Sequence, residues 1–178
     1  GKRTKRVHRR RLLDYLDEGR TRRLTLISAP AGYGKTTLVS EWTESCGIPA
    51  AWVSLDRLDN DQIRLFSAVA SALYGLNSDL AGDALGMLKS VQPPSMKRVV
   101  ESITNDIQQE AYSCVLILDD FHLIKNTETL SLVSHLVEHM PPDMHIFILT
   151  RIDPGLPLAK LRAGDQLVEV RADRKSVV

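Results

Sequence analysis

The sequence predicts an α/β fold in which helices cover both faces of a parallel sheet. Short apolar runs alternate along the chain with stretches of helical periodicity, which favours βαβ units and parallel strands. The runs are continuously apolar, so both faces of the sheet are expected to be buried. With 178 residues, of which 43% are hydrophobic and 25% charged, the chain is long enough for one globular core.

The predicted strands are the apolar runs at 24–27, 51–55, 115–118, 145–149 and 167–170. Helical periodicity predicts helices at 36–46, 79–88, 126–139 and 158–162, with Gly47 stopping the first of them. Asn60 is expected to cap a further helix with Ile63 and Phe66 inward. The Pro93-Pro94-Ser95 sequence is expected to interrupt the chain and to cap a helix carrying Val99 to Ile107.

Composition excludes several classes of protein. No apolar run approaches the ~20 residues that a membrane helix needs, and basic residues interrupt the N-terminus where a signal peptide would be apolar. Cys46 and Cys114 are too few for a disulfide framework. We therefore expect a cytoplasmic protein with reduced thiols and no membrane contact.

Charge is distributed unevenly, although the net charge is only +1. Residues 1–23 hold ten Lys or Arg against three Asp or Glu, whereas residues 24–178 carry a net charge of −6. Such a basic segment either binds nucleic acid or is a solvated leader. Tyr15 is its only aromatic residue, so the solvated leader is favoured and no nucleic-acid site is assigned.

The first strand runs into Ala-Pro-Ala-Gly-Tyr-Gly-Lys-Thr at 29–36, the Gly-x4-Gly-Lys-Ser/Thr pattern of phosphate-binding loops. Backbone N–H groups and the following helix N-terminus are expected to bind phosphate oxygens. Lys35 would bridge the β- and γ-phosphates, Thr36 would ligate Mg²⁺, and Thr37 would contact the α-phosphate. The candidate nucleotide-binding residues of the loop are Ala31, Gly32, Tyr33, Gly34, Lys35, Thr36 and Thr37.

Ala29 replaces the first glycine of this pattern. Because alanine tolerates a positive φ poorly, we expect a slightly different path at the loop entry. A glycine-rich turn without a ligand is the alternative, and it is disfavoured because the flanking strand and helix are both predicted.

Asp119 and Asp120 follow the buried strand at 115–118, at the edge where parallel sheets bind ligands. Asp119 is the candidate for the Mg²⁺ shell, and Asp120 for orienting or deprotonating the attacking water. Two adjacent carboxylates repel each other, so the pair needs a cation nearby. An Asp-rich turn is the alternative.

Arg151 follows the strand at 145–149 and, with Asp120 and Lys35, completes the candidate catalytic set. Its guanidinium could sense the γ-phosphate, or it could form a surface salt bridge with Asp153. His122 is interpreted as a loop residue. Asp56, Asp59 and Asp61 are interpreted as turn and helix-cap residues rather than as metal ligands.

Four ordered blocks carry a family resemblance: LTLISAPAGYGKTTLVSEW, AAWVSLDRLDND, VLILDDFH and ILTRIDPGLPLAKLRAGDQLVEVR. Together they resemble the nucleotide-binding domain of MalT-like, LuxR-type transcriptional regulators, which belong to the STAND signal-transduction ATPases. The resemblance covers about residues 7–171. Four blocks in order are far more specific than a phosphate loop alone.

The resemblance implies a three-layer P-loop NTPase of ASCE/STAND type with a five-stranded parallel sheet. It places the strand ending at Arg151 between the phosphate-loop strand and the Asp119 strand, which would direct Thr150 and Arg151 toward the γ-phosphate. It also implies that residues around Val7 to Arg11 precede the first helix and hold adenine. Val7 and Arg11 are therefore nucleotide-binding candidates.

The resemblance further implies ATP or ADP with Mg²⁺, slow hydrolysis, and self-association in the ATP state of the full-length protein. The family's winged-helix lid, inducer-binding repeats and promoter-binding helix-turn-helix would lie beyond Val178, so DNA contact is expected only through that absent part. We assign residues 1–23 to a basic arm and first helix, 24–171 to the nucleotide-binding domain, and 172–178 to a truncated or altered tail.

The expected function is an ATP-binding switch module with weak ATPase activity. A P-loop small-molecule kinase is the alternative, but its lid would need arginines, and the long insert at 75–95 holds one lysine and no arginine. A DNA-binding module that uses the basic arm is the third possibility.

Overall fold

The computed structural model describes residues 1–92 and 94–172. The described strands are β1 (Leu24–Ser28), β2 (Ala50–Ser54), β3 (Cys114–Asp119), β4 (Met144–Thr150) and β5 (Leu167–Arg171). The described helices are α1 (Lys2–Glu18), α2 (Lys35–Cys46), α3 (Gln62–Leu76), α4 (Gly82–Lys89), α5 (Met96–Glu110), α6 (Thr127–His139) and α7 (Ala159–Ala163). The predicted strands and helices are thus confirmed. The Pro93 part of the predicted stop, and the tail at 173–178, lie outside the described residues.

The strands form one parallel sheet in the order β2-β3-β4-β1-β5. This confirms the five-stranded parallel sheet. It also confirms that β4 lies between β1, which precedes the phosphate loop, and β3, which ends at Asp119. The carboxyl ends of these three strands therefore meet at one edge of the sheet.

Side chains of the strands alternate between two buried layers, as the two-residue period of a strand requires. In β3, Val115 and Ile117 pack in a cluster with α1 and α2, whereas Leu116 and Leu118 pack in the larger cluster formed with α3 to α6. The predicted arrangement, with helices on both faces of the sheet, is confirmed.

Local signals begin and end the helices. Gly47 ends α2 in the left-handed conformation with a φ of 67°, as predicted. The Ser95 hydroxyl begins α5 by accepting a hydrogen bond from the Arg98 N–H. Asn126 begins α6 in the same way, with Thr129 as the donor.

The predicted cap of α3 is wrong, because the capping residue is Asp61 and not Asn60. The Asp61 carboxylate accepts hydrogen bonds from the N–H groups of Ile63 and Arg64, and the helix starts at Gln62. Ile63 is 39% exposed, because it lies at the edge of the helix face that buries Phe66.

The acidic residues after β2 do stabilise turns, as interpreted from the sequence. Asp56 and Asp59 form a capping box around the 3₁₀ turn Arg57–Asn60. Asp59 is 6% exposed and accepts a hydrogen bond of 2.8 Å from the Asp56 N–H.

Helix α1 corrects two expectations about the N-terminus. Its inner face is not a solvated leader, because Leu12 and Leu16 are buried in the cluster with α2. Val7 and Arg11 lie within this helix rather than before it. None of the helices in the described part of the chain is long and apolar enough to cross a membrane.

Candidate functional site

The loop between β1 and α2 depends on two glycines with left-handed backbone. Gly32 has a φ of 84°, and Gly34, which precedes α2, has a φ of 88°. A Cβ at either position would meet no atom within 4 Å, so the backbone conformation and not crowding favours glycine there. The loop and the N-terminus of α2 leave Ala31, Gly32, Thr36 and Thr37 exposed.

The backbone φ of Ala29, which stands where the pattern has its first glycine, is not positive. It is buried, and its N–H donates a hydrogen bond of 3.0 Å to the carbonyl of Thr150, which continues the pairing of β1 with β4. Alanine therefore introduces no backbone strain at the loop entry.

Lys35 lies across this loop. Its Nζ donates hydrogen bonds to the carbonyls of Ala29, at 2.6 Å, and Pro30, at 3.1 Å. Partial burial, and then the Arg151 guanidinium, lower the pKa of the ammonium, while Asp119 and Asp120 oppose this shift. Two cations and two carboxylates thus meet beside the loop.

Thr36 and Asp119 are in direct contact. The Thr36 hydroxyl donates a hydrogen bond of 2.9 Å to Oδ2 of Asp119, which is 7% exposed. Asp119 shares the strand face of Val115 and Ile117, so its side chain is directed toward α2, which begins with Lys35 and Thr36.

A hydroxyl and a carboxylate are the hard oxygen donors that Mg²⁺ binds, so these two side chains fit that ion. No group of three or more His, Cys, Asp or Glu residues in the described ranges could hold a metal by itself.

Asp120 turns the chain away from β3. Its backbone is left-handed, with a φ of 58° and a ψ of 39°, a conformation in which Asp is enriched. The Asp120 N–H donates a hydrogen bond of 2.8 Å to Oδ1 of Asp119, which holds that carboxylate in place. The Asp120 side chain is half-buried and takes no part in this backbone hydrogen bond.

Arg151 is exposed at the end of β4. Burial, and then the charge of Arg151, lower the pKa values of both Lys35 and His122. The alternative partner, Asp153, forms its ion pair with Arg171 instead. Thr150 has a different role from Arg151, because its buried hydroxyl donates a hydrogen bond of 2.7 Å to the carbonyl of Ile152.

The adenine candidates Val7 and Arg11 are not brought together with the loop. Tyr33 instead faces α1 across a cavity of about 380 Å³ that is lined by Lys5, Arg6, His8, Arg9 and Leu12. Val7 and Arg11 line a separate groove on α1 with other arginines. Residues 5, 8, 9 and 12 have the spacing of one helical face. This face could be predicted from the sequence only if the helix were known to begin at Lys2.

Comparisons of the sequence agree with this geometry. The chain is 34% identical over 164 residues, 92% of its length, to the HTH-type transcriptional regulator MalT of Klebsiella pneumoniae. It is 30% identical over the same share to MalT of Vibrio campbellii. The resemblance noted from the four blocks is therefore confirmed, although the chain spans only 18% of the length of these relatives.

Comparisons of the structure support the fold. A chain of the Drosophila ORC bound to DNA superposes with a TM-score of 0.59 at 11% identity, covering 92% of this chain and 89% of that one. The Cdc6p of Pyrobaculum aerophilum superposes with a TM-score of 0.58 at 18% identity, covering 92% of this chain and 45% of that one. The AAA ATPase domain family matches residues 5–149. That match covers well over half of the chain, including the loop, both acids, β1 to β3 and β4 up to Leu149, so the chain belongs to the AAA ATPase domain family.

Proposed function

We propose that this chain is the ATP-binding and slowly hydrolysing switch module of a signal-responsive transcriptional regulator. The contact between Thr36 and Asp119, beside the Lys35 loop, is the observation that carries the proposal. Two oxygens suited to Mg²⁺, with one of them on the residue that follows Lys35 of the phosphate loop, support a site for a magnesium nucleotide. The similarity to MalT supports the regulatory setting.

Each side chain has a role in this proposal. Lys35 leaves the carbonyls of Ala29 and Pro30 to contact the β- and γ-phosphates of ATP, and the loop N–H groups hold the phosphate tail. Mg²⁺ on Thr36 and Asp119 would neutralise charge on the phosphate oxygens. Arg151 offsets the negative charge that develops on the γ-phosphate.

Asp120 orients the attacking water and accepts its proton. The water oxygen bonds to the γ-phosphorus as the bond to the β–γ bridging oxygen breaks, which gives ADP and inorganic phosphate. We infer slow hydrolysis from the resemblance to the STAND signal-transduction ATPases. The regulatory signal is then the identity of the bound nucleotide, rather than the amount of product formed.

A switch requires that ATP and ADP stabilise different states. ATP must favour the assembling state over ADP by about 5 kcal/mol to reverse a strongly biased equilibrium. We infer self-association in the ATP state of the longer protein, with promoter contact made by its C-terminal part. A cytoplasmic setting is inferred from the free thiols of Cys46 and Cys114.

The kinase alternative is less well supported. A kinase needs a mobile lid over the phosphates, and the 75–95 insert was the candidate. Its helix α4 packs between α3 and α5 instead, with Leu80, Ala84 and Leu88 buried in the larger core.

Thermal unfolding with Mg²⁺ and ATP, or a non-hydrolysable analogue, tests the proposal. We expect the nucleotide to raise the melting temperature of the wild type and of the control Lys97→Ala, which removes an exposed lysine on α5. Lys35→Ala should remove the rise. An equal rise in Lys35→Ala, or no rise in the wild type, would contradict nucleotide binding by this loop.

A further inference from the structure

A second cavity, of about 390 Å³, has Arg151 in its lining. Arg57, Lys125 and Arg151 line it together with His122, and no Asp or Glu is among its lining residues. None of the three cations forms an ion pair with a carboxylate within residues 1–92 and 94–172. The lining therefore carries three cationic side chains, while Asp119 and Asp120 are the nearby carboxylates that act on His122 from outside it.

Asn60 holds two walls of this cavity together. Its Nδ2 donates hydrogen bonds to the carbonyls of Arg57, at 2.8 Å, and Leu123, at 2.9 Å. Its Oδ1 accepts hydrogen bonds from the N–H groups of Lys125, at 2.7 Å, and Asn126, at 2.9 Å. All four hydrogen-bonding positions of the amide are used, so the segments after β2 and β3 are fixed relative to each other.

His122 supplies a further polar group to the lining. Its Nδ1 is buried and has no hydrogen-bond partner in the described structure. A buried ring nitrogen without a partner is costly, so a rearrangement of the ring that brings Nδ1 to a hydrogen-bonding partner would be favoured.

We propose that this cavity binds inorganic phosphate. Cations that converge on one concave site without carboxylates suit a compact multivalent oxyanion, and phosphate accepts charge-assisted hydrogen bonds from arginine and lysine. The extension to catalysis rests on the proposed function. Arg151 borders both the Lys35 loop and this cavity, so phosphate released from ATP would pass from the first to the second with Arg151 as a shared contact.

The direct test is equilibrium dialysis against radiolabelled phosphate, with ADP and Mg²⁺ saturating the loop. The test variant is the double substitution Arg57→Gln and Lys125→Gln, which removes two charges while Arg151 is kept. Lys97→Gln is the matched control. We expect saturable phosphate binding by the wild type and the control, and binding at least ~10-fold weaker in the double variant.

ADP affinity, measured in the same samples, separates the two proposals. We expect it to be unchanged in the double variant, because Arg57 and Lys125 do not line the loop. If ADP fails to bind the wild type, dialysis of nucleotide-free Lys35→Ala protein, whose loop lacks its ammonium, still tests the cavity. Phosphate binding there that is lost on adding Arg57→Gln and Lys125→Gln would support the site.

Equal phosphate affinity in the wild type and the double variant would overturn the proposal, as would the absence of saturable binding by the wild type. If circular dichroism shows that the double variant is unfolded, the single variant Lys125→Gln provides the comparison. Weaker phosphate binding is expected there too, because one positive charge is lost. The fold should be kept, because the Lys125 side chain is exposed and its backbone N–H, which bonds to Asn60, is unchanged.

Discussion

The hydroxyl of Thr36 donates a hydrogen bond of 2.9 Å to the carboxylate of Asp119, although 83 positions separate these residues in the chain. The sheet order explains the contact, because β1 and β3 flank β4 and their carboxyl ends lie at the same edge. Two oxygen ligands suited to Mg²⁺ are thus next to each other at the end of the phosphate loop.

Thr36→Val should weaken Mg²⁺-dependent nucleotide binding. Valine keeps the shape of threonine but has no hydroxyl, so one oxygen ligand and the bond to Asp119 are both lost. We expect the concentration of Mg²⁺ that half-maximally raises the ATP-dependent melting temperature to increase about tenfold or more. Thr43→Val is the control, since the Thr43 hydroxyl donates its hydrogen bond to the carbonyl of Ser40 within α2, away from the loop. Equal Mg²⁺ dependence in both variants would remove Thr36 from the metal site.

Asp120→Asn should retain ATP binding and lose turnover. Asparagine tolerates the left-handed backbone at this position as well as aspartate does, so the turn after β3 should be preserved. Loss of a general base typically lowers the rate by about 100-fold or more. Single-turnover hydrolysis of ATP, measured alongside the melting temperature, checks both parts. Unchanged turnover would assign the water-orienting role to another group.

Gly19→Ala should destabilise the fold. A Cβ at Gly19 would lie 2.3 Å from Cγ2 of Val168 in β5, so the junction after α1 has no space for a methyl group. Overpacking of this kind costs about 1–3 kcal/mol in the free energy of unfolding.

Two further variants show whether this contact is the cause. Gly86→Ala is the matched control, because a Cβ at Gly86 in α4 meets nothing within 4 Å; it should stabilise the protein by about 0.5–1 kcal/mol. Adding Val168→Ala to Gly19→Ala should recover part of the loss by removing the methyl group in conflict. Urea unfolding of the four proteins tests the account, and a Gly19→Ala protein as stable as the wild type would contradict it.

The local pattern of the chain was sufficient to predict the strands and the helices of the sheet layers, and to suggest the edge at which Thr36 and Asp119 meet. Apolar runs, Gly47 and the phosphate-loop motif act within a few residues, so their effects can be read without knowing the fold. Thr36 and Asp119 each belong to such a motif, and β-strand alternation then brings them together.

Features that depend on distant partners could not be predicted. Asn60 and Asp61 are both good helix caps, and the contacts of Asn60 with the loop after β3 leave Asp61 as the cap. Asp153 lies two residues from Arg151, yet it pairs with Arg171 of β5, which β1 separates from β4. The cavity between Tyr33 and α1 likewise depends on how α1 packs beside the loop between β1 and α2.

Acid should destabilise the protein through His145. This residue is 2% exposed, and its Nδ1 donates to the Arg22 carbonyl at 2.6 Å while its Nε2 accepts from the Thr25 hydroxyl at 2.7 Å. Burial lowers the pKa of the imidazole from 6.5 to about 4. Since the folded state disfavours the proton, stability is full above pH 6.5 and falls as the pH approaches 4, by roughly 3 kcal/mol in total.

Unfolding free energies measured by urea between pH 7 and pH 4 check this prediction. His145→Gln should flatten the pH dependence in that window, because glutamine does not titrate. His139→Gln, which removes an exposed histidine on α6, should keep the dependence of the wild type. An identical slope for His145→Gln and the wild type would show that other groups cause the acid sensitivity.

The alternation of β3 has one further consequence. Val115, Ile117 and Asp119 lie on the same face of β3, so the face that packs against α2 also brings the Asp119 carboxylate to Thr36. A register slip of one residue would therefore misplace the core side chains and the carboxylate together. Molecules in which β3 pairs in a shifted register would thus lose nucleotide binding completely rather than in part. Binding of ATP would therefore distinguish molecules with the correct register from those without it.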